Sequence, residues 1–353
     1  MWPSESSPVF GSFVARHVSR LRDAGADVTV VANSDNRRGL VRNVVKYIRL
    51  EHRARRAARP GRFDAVVGHY LYPTAAFARD AARKADVPLV LVVHGTDTRS
   101  ILRKGLLARR SRRALDAADL VVTVSRALRE TLMRDVAVPA SVPISVVDMG
   151  FDETVFMPCE SAREDLGVPT STRLVVFVGN LEPVKGVDLL LDAFSVLLAD
   201  GTADRLVIVG DGSLASEFRD RIDRPDLNGG VTMLGAASQR DVARWMAAAD
   251  VLVLPSRNEG LGLVLLEAMA CGTPCVATRV GGVPEIMDDS CGRLVPPEDP
   301  IALAAAVAEI IAQGKDRYSG ACVARAAEHT SAAKAEEFLG HVERVVGDRG
   351  PQG

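Results

Sequence analysis

Cysteine is scarce and unpaired: Cys159, Cys271, Cys275, Cys291 and Cys322 are spread through 353 residues without a CxxC spacing. An odd, dispersed set of this kind excludes a disulfide framework and a zinc knuckle, and reads as buried or idle thiols. No apolar run approaches the ~20 residues that a membrane-spanning helix requires, and nothing near the N-terminus has the pattern of a signal peptide. The cytoplasm is the resulting expectation. There is no DxD and no His/Asp cluster at metal-ligand spacing, so neither a metal nor a resident cofactor is implied. Aromatics make up only 5% of the chain and do not interleave with its basic stretches, which speaks against nucleic acid as a partner.

What is present is a chain with 47% hydrophobic and 25% charged residues, long enough to bury two ordinary cores. The net charge of -1 conceals a division: residues 1–150 carry 26 Lys+Arg against 14 Asp+Glu, and the remaining 203 residues carry 18 against 31. Much of the basic excess lies between Arg37 and Arg62, with ten Lys/Arg and the single acid Glu51, and between Arg99 and Arg113, with seven Lys/Arg and no acid. Either these are solvated helix faces in an Arg-rich protein or they meet an anionic surface, such as the inner face of a membrane.

Short apolar, β-branched runs alternate with longer amphipathic stretches, the pattern of parallel sheets covered by helices on both faces. Strands are expected at 28–32, 64–67, 89–93, 120–124 and 144–147, and in a second set at 174–178, 206–209, 231–234, 251–254, 275–277 and 293–295. A helix is expected over 186–199, where Val187, Leu190, Leu191, Phe194 and Leu198 recur at helical spacing. This predicts an N-terminal domain over 1–157, a second over 158–335, and a terminal helix over 336–353 free to pack on either domain. A doubly wound domain opens with a central strand, yet this chain opens with a loop leading into Phe13, Val14, His17, Val18 and Leu21. The first strand is therefore expected to be missing, with a native start upstream of Met1.

The segment from Val251 to Thr278 carries the chemistry. A buried strand ends at Pro255, a loop holds Glu259, Gly260 and Gly262, and a helix follows from about Leu263. Ligands of open parallel sheets bind at such strand ends. That helix has no Ser, Thr, Asp or Asn at its cap, so its first N–H groups and its dipole favour an external anion. A diphosphate suits it, and the glycines at 260 and 262 allow close approach to the backbone. Glu267, one turn inside, can accept hydrogen bonds from ribose hydroxyls, and Glu259 can meet a sugar on the loop side of the phosphates.

With these residues in place, the sequence resembles the family-4 retaining glycosyltransferases of the GT-B fold, whose E-x7-E motif appears as EGLGLVLLE, Glu259 to Glu267. Further matches are FVGNLEPVKGVDLLLDAF (177–194), RLVIVGDGSL (205–214) and GRLVPPEDP (292–300). The N-terminal half matches less closely, through PVFGSFV (8–14), LVLVVHGTD (89–97) and ADLVVTVSRALRE (118–130). The resemblance implies an α/β protein of two Rossmann-like domains facing across a cleft. It implies that backbone from Gly260 through Leu261 and Gly262 to Leu263 holds the distal phosphate and sugar, that Lys185 neutralises the diphosphate, and that His94 reaches the donor sugar. It also implies that Gly11 lies near the phosphates and that backbone from Met233 to Gly235 lines the base. One position departs: Asn180 stands where many members have an arginine. The implied reaction moves a sugar from a UDP-, GDP- or ADP-sugar to a glycan or lipid-linked hydroxyl with retained configuration.

Two rivals differ in class. A nicotinamide dehydrogenase requires GxGxxG after a strand, which Gly210, Asp211 and Gly212 do not supply. A catalytically weak nucleotide-sugar-binding protein of the same fold is the alternative to an active transferase. Asp97, His69 and Asp211 also fall at strand ends, with structural roles as reasonable as contacts to a substrate.

Overall fold

The structure, a computed structural model, describes residues 11–33, 40–95, 98, 101–102, 105–227 and 229–349. The chain divides into two compact units, residues 1–149 with 331–353, and residues 150–330.

The first unit is built on a four-stranded parallel sheet in the order β1 (Val66–His69), β2 (Leu89–Val93), β3 (Leu120–Thr123), β4 (Ile144–Val146). The LVLVV run of β2 is buried at every position, as a parallel strand covered on both faces must be. Helix Ser12–Asp23 buries Val14, His17, Val18 and Leu21, a stripe at helical spacing, and packs against the terminal helix Ser331–Asp348 through Phe338. Three polar contacts fasten that terminal helix to this unit. Arg20 Nε donates to Ser331 Oγ (3.0 Å), Ser145 Oγ meets His341 Nδ1 (3.0 Å), and Lys334 Nζ lies 3.6 Å from Asp148.

The structure differs from the expectations in three places. The VTVVA run at 28–32 is not a strand: residues 26–33 are irregular and join no ladder among the described residues. A β-branched run forms a strand only where a neighbour takes its backbone groups. Here arginines from helices take two of them, Arg22 Nη2 donating to Val28 O (2.7 Å) and Arg53 Nη1 to Ala32 O (3.2 Å). Second, the units divide at 149/150 and 330/331, where the sequence suggested 157/158 and 335/336. Phe151 and Phe156 are buried, and Phe151 N–H donates to His329 O (3.0 Å), which ties residues 150–157 to the second unit. The strand expected at 64–67 is displaced to 66–69.

The second unit has a six-stranded parallel sheet in the order β10 (Gly292–Val295), β9 (Cys275–Thr278), β8 (Val251–Leu254), β5 (Leu174–Val178), β6 (Arg205–Val209), β7 (Val231–Gly235). Successive strands run outward from β5 to β6 and β7, then return to β8 on the other side of β5. This reversal is a topological switch point, and chain segments leaving the carboxyl ends of β5 and β8 part there to leave room for a ligand. Helix Val187–Ala199 follows β5 as its spacing predicts, with Val187, Leu190, Leu191 and Phe194 buried.

Candidate functional site

In the second unit, β8 is wholly buried and its chain emerges through Pro255 and Ser256, both also buried, into a loop that ends at Gly262. Gly262 has φ 94°, left-handed backbone suited to glycine, and serves as N-cap of helix Leu263–Ala270. No side chain caps that helix. Its buried face is Leu265, Leu266, Ala268, Met269 and Ala270, whereas Leu263, Val264 and Glu267 are half-buried. Positions 263, 264 and 267 share one side of a helix, so Glu267 stands on the same face as the uncapped first turn.

Lys185 ends a short 3-10 turn, Pro183–Lys185, between β5 and helix Val187–Ala199. Its Nζ donates to Glu259 Oε2 at 2.6 Å, and Ser256 Oγ donates to the same oxygen at 3.1 Å. Glu259 Oε1 has no hydrogen-bond partner among the described residues. The switch point thus holds an ammonium group, a carboxylate with one oxygen available, and the start of an uncapped helix. Backbone packing fixes the arrangement. Gly281 (φ +52°) lies so close that an added Cβ would fall 1.7 Å from Glu259 O. A Cβ on Gly186 would fall 2.1 Å from Pro255 O, so the lysine turn rests directly on the glutamate loop.

Arg257 is a bracing residue of this site that the sequence did not reveal. Its guanidinium binds both oxygens of Asp188 (2.8 and 2.7 Å), the Pro183 carbonyl (2.6 Å) and Glu298 (2.6 Å), while its own N–H donates to Val184 O (2.8 Å). It braces the Lys185 turn onto the Glu259 loop. These contacts raise the Arg257 pKa and hold the Asp188 carboxyl below its usual range. The only sequence signal was an arginine two places before Glu259, and its partners lie 69 and 41 positions away. Ser256 was missed although it lies only three positions from Glu259, since no local pattern announces that its hydroxyl meets that carboxylate.

The remaining expected residues of this unit are placed as follows. Asn180 is exposed two residues beyond β5. Met233 and Gly235 lie on the edge strand β7, paired with Ile208 and Val209 across a register shift. Leu261 is buried and Gly260 half-buried. Asp211 closes a local turn, its carboxylate accepting from Gly212 N (2.8 Å).

In the first unit, His94 follows β2 directly and is half-buried. The structure brings His69, the last residue of β1, against it: His69 Nδ1 and His94 Nε2 are 3.1 Å apart with rings stacked at 14°. Phe13 and Tyr70 flank His94 at centroid distances of 5.1 and 4.6 Å. Burial pushes His94 down to about 3, with the His17 charge adding to the effect, and burial alone pushes His17 down to about 4. His69 is likewise held well below the ordinary histidine value by burial. All three imidazoles are neutral at neutral pH. Gly11 is the left-handed N-cap of helix Ser12–Asp23 (φ 75°). Asp97 lies outside the described residues. Among the described residues, no group of three or more His, Cys, Asp or Glu is arranged to hold a metal ion.

The fold and the switch-point site define a glycosyltransferase of the GT-B type, and comparison with known proteins agrees. Residues 11–155 match the model described as Glycosyltransferase Family 4, and residues 172–313 match Glycosyl transferases group 1. The D-inositol 3-phosphate glycosyltransferase of Mycolicibacterium vanbaalenii is 32% identical over 321 residues, covering 84% of this chain and 70% of that protein. The Thermobispora bispora protein of the same name is 32% identical over 318 residues, covering 81% and 72%. The fold is shared with sucrose-phosphate synthase from Thermosynechococcus elongatus (TM-score 0.78, 22% identity, 97% and 94% of the two chains). It is also shared with Anabaena HepE solved with UDP-glucose (TM-score 0.72, 22% identity, 93% and 88%). The chain belongs to glycosyltransferase family 4.

Proposed function

We propose that this glycosyltransferase takes its sugar from a nucleoside diphosphate sugar held at the β5/β8 switch point and transfers it, with retained configuration and without a metal, to a hydroxyl of a glycan or lipid-linked acceptor. The observation that carries the reading is the Lys185–Glu259 pair, 2.6 Å apart, beside the uncapped start of helix Leu263–Ala270. Breaking a sugar–phosphate bond leaves negative charge on the diphosphate, and catalysis requires that charge to be met. The ammonium group and the helix N-terminus supply this, with Gly260, Leu261, Gly262 and Leu263 offering backbone to the distal phosphate. Glu267 accepts from the ribose hydroxyls, and Glu259 accepts from the sugar. The carboxyl end of β7, at Met233 and Gly235, is the place for the base. His94, with Gly11 on the same unit, is assigned to the donor sugar and phosphates.

The base is proposed to be uracil, supported by the UDP and UDP-glucose complexes of HepE and by the UDP complexes of other proteins with this fold; GDP- and ADP-sugars are the competitors. A thermal-shift panel of UDP-, GDP- and ADP-glucose, followed by a donor-hydrolysis assay, tests the reading. Slow release of nucleoside diphosphate that Glu259→Ala abolishes is the expected result. Binding of all three donors with no release, with or without an acceptor, would instead make this a binding protein.

A lipid-linked acceptor is supported by the surface of the first unit. On helix Leu40–Ala57, Val45 and Ile48 are exposed on one face with Arg49, Arg53 and Arg56. Leu102, Leu106, Arg109 and Arg113 form a second exposed face, on and just before helix Leu106–Leu115. Arg110 joins the two helices through Glu51 (2.6 Å). Apolar side chains among arginines suit an anionic bilayer surface, where each cation contributes on the order of 1 kcal/mol. Among the described residues no helix is long and apolar enough to cross a membrane. Sedimentation with anionic and with neutral liposomes at low salt checks this reading. Equal, weak binding to both would reduce the charge to surface decoration.

A further inference from the structure

Ser256 is the second residue beyond β8 and is completely buried. The register of β8 with β9 sets Leu254 opposite Ala277, so Thr278 stands level with Pro255, and Thr278 Oγ1 donates to Ser256 O. The lysine turn closes on the preceding carbonyl, where a Cβ on Gly186 would fall 2.1 Å from Pro255 O. The backbone of Ser256 is thereby held from both sides, and its Oγ donates to Glu259 Oε2 (3.1 Å). Lys185 Nζ donates to the same oxygen (2.6 Å). The stem of Glu259 rests beside the helix cap, since a Cβ on Gly262 would lie 3.5 Å from Glu259 Cγ.

We infer that Ser256 is a positioning residue for the donor sugar: its hydroxyl holds Oε2 of Glu259, so that Oε1 stays directed at the sugar while Lys185 serves the diphosphate. This rests on the assignments of Glu259 to the sugar and Lys185 to the diphosphate made above. The two donors on Oε2 differ in kind. A lysine ammonium carries three N–H groups on a flexible four-carbon stem, so it follows the carboxylate rather than fixing it. An arriving diphosphate draws on the same N–H groups, because charge-assisted bonds to phosphate are strong. Held by Lys185 alone, the carboxylate would be free to travel with the ammonium toward the phosphates and away from the sugar. A serine hydroxyl offers a single donor on one torsion, and here its backbone is clamped by Thr278 and the lysine turn, so it keeps its place when the donor arrives. With Oε2 pinned there and the stem lying beside Gly262, the place of Oε1 is set. A half-turn of the carboxylate exchanges two equivalent acceptor oxygens and restores the same arrangement.

Calorimetric titration of UDP and of UDP-glucose into the wild type, Ser256→Ala, Glu259→Ala and the double variant tests this. UDP has no sugar, so Ser256→Ala is expected to bind it within about twofold of the wild type, yet to bind UDP-glucose about fivefold or more weakly. Glu259→Ala is expected to lose at least as much for UDP-glucose. In the double variant the serine has no carboxylate to hold, so its removal is expected to add less than about twofold to the loss in Glu259→Ala. A serine with a purely structural role gives another pattern: UDP and UDP-glucose are weakened alike, or the two losses multiply in the double variant. Either result overturns the inference, as does an affinity of Ser256→Ala for UDP-glucose within about twofold of the wild type. Failure of the underlying assignment looks different, because Glu259→Ala then binds UDP-glucose as the wild type does. If Glu259→Ala is weakened while Ser256→Ala is not, only the role of Ser256 fails.

Discussion

The two units present opposite kinds of site at the ends of similar parallel sheets. In the second, charge is concentrated and fixed: Lys185, Glu259, Arg257 and Asp188 are locked by short contacts onto loops packed backbone to backbone. In the first, His69, Tyr70 and His94 at the ends of β1 and β2 meet Phe13 and His17 of helix Ser12–Asp23, the three imidazoles are neutral, and the positive charge lies on outward helix faces. The contrast is the one the proposed division of labour calls for. An anionic diphosphate calls for preorganised charge, whereas contact with an uncharged sugar calls for neutral donors and acceptors held in one orientation.

The comparison breaks most severely at the charged site. Lys185→Ala is expected to reduce transfer by about 100-fold or more by removing the cation that meets the leaving diphosphate, as loss of a single preorganised donor does elsewhere. Steady-state kinetics at saturating donor check it. Gly281→Ala is expected to cost about tenfold or more in the same assay, although it removes no functional group, because its Cβ must displace the Glu259 carbonyl. Arg257→Ala should cost about tenfold in donor affinity by titration, with a stability change of only ~1 kcal/mol, since its acidic partners Asp188 and Glu298 are about half exposed. Asn180→Arg, which restores the cation that many family members carry, is expected to tighten donor binding by several-fold, about 1 kcal/mol.

The neutral site is sharpened by acid. His17 and His94 have folded values of about 4 and 3, below the ordinary 6.5. As pH falls below about 6.5, the unfolded chain takes up protons that the folded unit refuses, so stability is full above that value and declines toward pH 4. Each group contributes a slope of up to about 1.4 kcal/mol per pH unit. Chemical denaturation between pH 7.5 and 5, followed at helix Ser12–Asp23 by hydrogen exchange, reads this slope. His17→Phe should flatten it, since His17 has no hydrogen-bond partner among the described residues for either ring nitrogen.

The units also differ in how far they could be read from sequence. All six strands of the second were located to within one residue, because runs such as LVVFV and VLVL are buried by their own sheet and their pattern carries the information. The glycine-rich turn and uncapped helix after β8 were legible for a similar reason, being local in sequence. In the first unit the VTVVA run has strand composition but no ladder partner among the described residues, and composition alone misled. Arg257 escaped because its pairing with Asp188 spans 69 positions, and Ser256, although three positions from Glu259, carries no pattern that sets its hydroxyl on that carboxylate. His69 was read only as a strand-end residue, because its pairing with His94, 25 positions on, comes from the register alone. The exchange of the terminal helix at Ser331 depends on Phe338 meeting His17, again a contact that no local pattern announces.

Calorimetric titration of UDP into the wild type, Lys185→Ala and Glu267→Ala tests the central claim most directly. Placement of the nucleoside diphosphate at the β5/β8 switch point predicts saturable one-to-one binding by the wild type, weakened about tenfold or more in each variant, with folding unchanged by circular dichroism. Equal affinity for UDP in all three proteins would contradict it.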